Sequence, residues 1–116
     1  MDKKIKTAAG KVPLQLIPLR ALFGMARVRA YGDEKYAPGN WYMADDRDLA
    51  ARYVGAALRH IEQMQHPCGL YTLESAAALD PESELPTIDH AICSLIMLRG
   101  LLIKLGMMPA DPKGGV

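Results

Sequence analysis

The sequence predicts an all-α bundle, and three observations carry that expectation. Separate segments repeat apolar residues at helical spacing. No segment alternates apolar and polar residues with the period of a strand. The links between segments are short and rich in Pro, Gly and Asp.

The elements follow in order. Residues 1–12 form a lysine-rich lead with Gly10 near its end. Pro13-Leu14-Gln15-Leu16-Ile17-Pro18 comes next. Each proline restricts the residue before it, so the stretch is expected to be an extended apolar strap. Pro18 suits the first turn of a helix. That helix is expected over about Pro18–Tyr31, with Leu19, Leu22, Phe23, Ala26 and Ala30 on one stripe and Arg20, Arg27 and Arg29 off it. Gly32 reads as a stop or a kink. Asp33-Glu34-Lys35-Tyr36 ends the helix or adds a turn, Ala37-Pro38-Gly39-Asn40 is a loop, and Trp41 lies just beyond.

A second helix is expected from Asp45 or Asp46, either a good N-cap. Ala50, Val54, Ala57, Ile61 and Met64 mark its apolar stripe, and His66-Pro67-Cys68-Gly69 ends it. Leu73 to Leu79 is alanine-rich and suits a short helical turn, and Asp80-Pro81-Glu82-Ser83 is an acidic turn. A third helix begins at Pro86 or Thr87 and follows Ile88, Ile92, Leu95, Ile96, Arg99, Leu102 and Leu105. Its apolar arc is wide, which implies burial on more than one side, against sister helices or another subunit. Gly106 fits the position after a helix end. The organisation is one domain over 1–116: the lead, a helical core over 13–106 and a loose tail over 107–116.

Composition narrows the function classes. With 116 residues the chain is long enough for one domain. Fourteen Lys+Arg against 13 Asp+Glu leave a net charge of +1. That balance argues against nucleic-acid binding, which needs a strongly basic face. The two cysteines, Cys68 and Cys93, make no disulfide framework. The charged start lacks a signal-peptide core, and Ala91 to Leu105 is interrupted by Ser94, Arg99 and Lys104, so no membrane span is expected. The expectation is a soluble, cytoplasmic protein. A chain this small buries only about two thirds of its surface on folding, which favours a homodimer or homotetramer.

Four polar groups border the apolar stripes. They are Asp33-Glu34-Lys35-Tyr36 with Asn40-Trp41, Arg59-His60 with Glu62, Asp80 with Glu82 and Glu84, and Asp89-His90 inside a greasy helix. Each has a plain alternative: a solvated face for Arg59 and the acids, a core-edge ring for His90, and simple packing for Trp41. His60, His66, Cys68, His90 and Cys93 match no usual zinc spacing. Neither a Gly-rich phosphate loop nor a G-x-S-x-G elbow is present. What remains is a set of carboxylates on several helices, a cage able to hold Mg²⁺ or Mn²⁺.

Several blocks then carry a resemblance. Tyr31-Gly32-Asp33-Glu34-Lys35-Tyr36 and Gly39-Asn40-Trp41 precede Ala56-Ala57-Leu58-Arg59-His60, then Asp80-Pro81-Glu82-Ser83 and Leu85-Pro86-Thr87-Ile88-Asp89-His90-Ala91. In this order they resemble the dATP/dGTP diphosphohydrolase N-terminal domains, relatives of the MazG-like all-α nucleoside triphosphate pyrophosphatases. MazZ-type phage enzymes, which help replace adenine with 2-aminoadenine, are similar. The chain departs from that pattern at Glu84, where glycine is usual, and at Thr87, where histidine is usual.

The resemblance implies hydrolysis of a nucleoside or deoxynucleoside triphosphate, dGTP or dATP foremost, to monophosphate and pyrophosphate, in the cytoplasm of a bacterial host. It implies an obligate oligomer and two to three Mg²⁺ or Mn²⁺ ions. Glu34, Asp80, Glu82 and Asp89 become the expected metal ligands. Glu34, His60 and His90 become the expected catalytic groups. Lys35 and Arg59 are expected on phosphate, and Tyr36, Asn40 and Trp41 on the base. The alternative is a non-enzymatic dimeric helical scaffold or regulatory module.

Overall fold

The computed structural model describes residues 10–35 and 48–114. Among these the regular structure is helical, with one isolated bridge between Leu79 and Pro86. Short 3-10 turns at Leu14–Leu16 and Leu19–Leu22 lead into α1 (Phe23–Lys35). They are followed by α2 (Asp48–Gln63), the single turn α3 (Leu73–Ala76) and α4 (Thr87–Lys104). The expected caps Asp45 and Asp46, and the residues Tyr36, Asn40 and Trp41, lie outside the described residues.

The strap is less extended than its prolines suggest. Ile17 is extended before Pro18, as required, but Leu14–Leu16 close a 3-10 turn between the prolines. A 3-10 turn needs only three residues, so it fits between two prolines where an α-helix does not.

α1 starts later and ends later than the expected Pro18–Tyr31. Gly32 does not stop it. A helical glycine costs only about 1 kcal/mol relative to alanine. The last turn is tied by an ion pair from Arg29 to Asp33 at 3.2 Å, one turn apart. The face also differs. Met25 and Val28 are buried, whereas Leu19, Phe23, Ala26 and Ala30 are exposed. The expected apolar stripe therefore points away from this chain's own core.

α4 shows the same division. Its buried residues are Thr87, Ala91, Cys93, Met97 and Leu101. Ile88, Leu95 and Ile96, which marked the expected path, are exposed by 40%, 48% and 49%. Within one chain the arc is buried on one side only, the side that carries Thr87, Ala91, Cys93, Met97 and Leu101. There α2 and α1 both pack against α4, α2 the more extensively. Val28, Cys93 and Met97 form the core cluster, with Tyr53 and Leu85 packed against it. On α2, Ala57 at 1% and Met64 at 8% exposure point inward as expected, whereas Val54 of the same expected stripe is 41% exposed.

Helix ends follow their local chemistry. Thr72 and Ser75 cap α3 reciprocally, the Thr72 hydroxyl accepting from the Ser75 amide at 3.0 Å. After α4, Gly106 adopts φ 74°, and the Met107 amide reaches back to the Leu102 carbonyl at 2.8 Å. Beyond it, Arg99 donates to the Ala110 carbonyl at 3.1 Å.

The segment from Leu79 to Pro86 is a tight loop. Asp80 N–H donates to the Leu85 carbonyl and Glu84 N–H to the Asp80 carbonyl, both at 2.8 Å. Glu84 sits at φ 63°, in the left-handed region. Glycine takes that conformation without steric cost, which accounts for the glycine usual there in the resembled pattern. Thr87, only 2% exposed, is locked by its amide to the Ala78 carbonyl at 3.0 Å.

Candidate active site

The acidic loop, the end of α1 and one face each of α2 and α4 meet in one polar cluster. Asp80 anchors it from inside. Its Oδ2 accepts from the amides of Glu82 at 3.1 Å and Ser83 at 2.9 Å. Burial to 7% exposure pushes the Asp80 carboxyl up, but the Ser83 amide and nearby His90 outweigh it, and the net displacement is downward. Asp80 is thus held as an anion whose charge organises the turn.

Glu82, one residue beyond Pro81, faces outward to α1. Lys35 Nζ donates to its Oε2 at 2.6 Å. The Lys35 contact, then Tyr31, hold the Glu82 carboxyl below its usual range. Partial burial, then the Glu82 charge, push the Tyr31 hydroxyl up, so it stays protonated as a donor. Lys35 also lies over the Tyr31 ring, 5.9 Å from its centroid. Tyr31 and Lys35 lie one helical turn apart, which puts the Lys35 stem beside the Tyr31 ring on its way to Glu82.

The two histidines meet across α2 and α4. The His60 and His90 rings stack with centroids 4.8 Å apart and planes at 26°. Tyr31 meets His90 edge-on at 6.2 Å. His60 Nδ1 contacts Gln63 Oε1 at 2.9 Å, and His90 Nε2 contacts Ser83 Oγ at 2.7 Å. Burial, then the neighbouring His60, push the His90 pKa down, which favours a neutral ring.

The structure therefore brings together Lys35, His60, Asp80, Glu82 and His90 from the expected site. Glu34, beside Lys35 on α1, is exposed, and the described contacts do not join it to Asp80, Glu82 or the histidines. Arg59 is exposed on α2. Asp89 stands elsewhere: its carboxylate lies against Gly24 in the first turn of α1, where a Cβ would collide with it. A carboxylate there meets the positive end of the helix, a structural place for an anion. Among the described residues no three carboxylate, imidazole or thiol groups converge as a metal site.

Tyr31 and Ser83 join the cluster unforeseen as site residues. Tyr31 was recoverable from its one-turn spacing to Lys35. Ser83 was not, because its link to His90 depends on how the loop folds back.

The model of the family described as dATP/dGTP diphosphohydrolase, N-terminal, matches residues 1–108. The chain belongs to this family. No curated protein and no solved structure matches the chain. The family blocks coincide with the cluster: Tyr31 and Lys35 come from one, His60 from a second, Asp80, Glu82 and Ser83 from a third, and His90 from a fourth. No helix among the described residues is long and apolar enough to cross a membrane.

Proposed function

We propose that the chain hydrolyses dATP or dGTP between the α and β phosphates. A water oxygen attacks the α phosphorus, the bond to the bridging oxygen breaks, and deoxynucleoside monophosphate and pyrophosphate leave. The carrying observation is the meeting of Lys35, Glu82, Asp80, His60 and His90 at one place in a chain of this family.

Each group has a task suited to that reaction. Lys35 supplies a cation on a flexible stem, able to exchange Glu82 for a phosphate oxygen. A neutral imidazole of the stacked pair takes a proton from the attacking water. Arg59, next to His60 in the chain, reaches phosphate bidentately. Tyr36, Asn40 and Trp41 contact the base in this proposal, and Glu34 supplies a further carboxylate.

Mg²⁺ or Mn²⁺ belongs to the same proposal, since a triphosphate needs its charge neutralised for attack. Asp80 and Glu82 are the carboxylates at the cluster, but alone they make no complete cage, because Asp80 Oδ2 serves two amides and Glu82 serves Lys35. A homo-oligomer is also proposed. It rests on the exposed Leu19 before α1, Phe23 at its start, and Ile88, Leu95 and Ile96 of α4. A role in phage nucleotide-pool modification, within a bacterial cytoplasm, is the setting that fits.

The test is a panel of the common ribo- and deoxynucleotides incubated with the purified chain and Mg²⁺ or Mn²⁺, with products separated by chromatography. The expected result is dAMP or dGMP with stoichiometric pyrophosphate. Release of single phosphates, or no turnover with any member, would sink the reading.

A further inference from the structure

Gly24, Val28, Tyr31 and Lys35 recur at i, i+4, i+7 and i+11 along α1, so they share one face of the helix. Each of them meets α4 or the loop before it. A Cβ at Gly24 would overlap the Asp89 carboxylate, so the two helices approach closely there. Val28 joins Cys93 and Met97 in the core cluster. Tyr31 meets the His90 ring at 6.2 Å with the planes at 89°. Lys35 reaches Glu82 at 2.6 Å. The first two contacts dock the helix outside the polar cluster. Its backbone then carries Tyr31 and Lys35 into that cluster.

Tyr31 stands where this face passes from core to polar cluster, and its ring touches both halves of the site. On one side is His90, which also stacks on His60 with centroids 4.8 Å apart. Two stacked rings can still slide and turn in their common plane. A third ring set at right angles to one of them removes that freedom, and the T-shaped arrangement at this distance is a preferred one. On the other side is the Lys35 ammonium, 5.9 Å from the Tyr31 centroid. A lysine stem has many rotamers, and an aromatic ring one turn back on the helix narrows them while its negative face attracts the cation. What Tyr31 offers both neighbours is its ring.

We propose that Tyr31 is a positioning residue of the site: its ring sets the plane of the His90–His60 stack and aims the Lys35 ammonium, so that imidazole and cation address one phosphate group. This rests on the hydrolase reading above for its purpose. The ring carries the role, and the hydroxyl is dispensable.

The experiment compares Tyr31→Phe, which keeps the ring, with Tyr31→Leu, which keeps apolar bulk and loses the flat face. Proton NMR of the full chain and steady-state kinetics are read on each. The native chain should show nuclear Overhauser contacts from the Tyr31 ring to His90 and from His90 to His60. Tyr31→Phe should keep both, with kcat and KM within about twofold of native. Tyr31→Leu should lose the fixed His90–His60 contact. It should also lower kcat/KM about tenfold, the size expected of one ring-edge and one cation–ring contact together, with kcat falling and KM rising. A Tyr31→Phe variant as impaired as Tyr31→Leu would give the role to the hydroxyl and overturn the proposal. So would a Tyr31→Leu variant with native kinetics and an unchanged His90–His60 contact. If the native chain turns over no nucleotide, the hydrolase reading fails, and the NMR contacts still decide whether Tyr31 orders the histidine pair. Should Tyr31→Leu fold poorly, the native spectrum and Tyr31→Phe remain decisive: missing native ring contacts, or turnover lost with the hydroxyl alone, reject the role.

Discussion

Lys35 and Glu82 form the contact that reports most directly on the site. Their ion pair is partly open to solvent, with side chains 41% and 65% exposed. Such pairs contribute at most about 1 kcal/mol. Glu82→Gln should therefore melt within a few degrees of the native chain. If Glu82 serves the reaction, kcat should fall at least about tenfold in the same variant. Thermal melts and turnover assays on one preparation separate the two effects, and native turnover would remove Glu82 from the site. His90 gives a second prediction at this scale. Its pKa is lowered by burial and by His60. The folded chain thus binds its proton less readily than the unfolded chain does. Stability from this group is complete above the ordinary value of 6.5 and declines as pH falls below it. Asp80 and Glu82, both lowered, add a further loss only below the ordinary carboxylate range. Melting temperature should hold from pH 8 to 7 and drop between pH 6.5 and 5.5. His90→Gln should flatten that drop; an equally steep one would assign it to other groups.

At the scale of elements, the loop from Leu79 to Pro86 carries an avoidable strain. Glu84 occupies φ 63° with a side chain that disfavours it. Glu84→Gly should raise stability by about 0.5–1 kcal/mol, a shift of several degrees in melting. A lower melting temperature would show that the Glu84 side chain contributes more than its backbone costs. This loop also shows what the sequence could convey. The departure from glycine at position 84 was visible before its backbone reason was. The start of α4 and the stop at Gly106 were legible because caps and breakers act locally. The end of α1 was not. Gly32 signals a stop or a kink, yet the Arg29–Asp33 pair and the reach of Lys35 to Glu82 hold the last turn. Those partners are set by tertiary structure, which outweighs a propensity of about 1 kcal/mol.

For the whole molecule, periodicity identified apolar faces correctly but not which of them this chain covers itself. α1 buries Met25 and Val28 and shows Phe23 at 57% exposure; α4 buries Ala91 and Leu101 and shows Ile96 at 49%. A stripe says that a surface is to be dried, and leaves open by what. The site was legible in part for a related reason. Lys35, His60, Asp80, Glu82 and His90 are chemically conspicuous, whereas Ser83 meets His90 only because the loop folds back onto α4, and Tyr31 meets it only across the bundle. If copies of the chain cover the outer faces, the native protein should elute and scatter light as a dimer or tetramer. Replacing Phe23 and Ile96 together by Asp should shift it toward the monomer. A native monomer of 12.7 kDa at micromolar concentration would overturn the oligomer.

The Lys35–Glu82 contact spans 47 residues of chain, while α2 and α4 each close their own turns locally. Helical turns form in well under a millisecond, and contacts between distant segments wait on loop closure. The polar cluster is then assembled late in folding and sits among the first structures to open. Mild denaturant should erase the site while helicity persists, so an activity assay and a helicity probe would report different midpoints for one molecule.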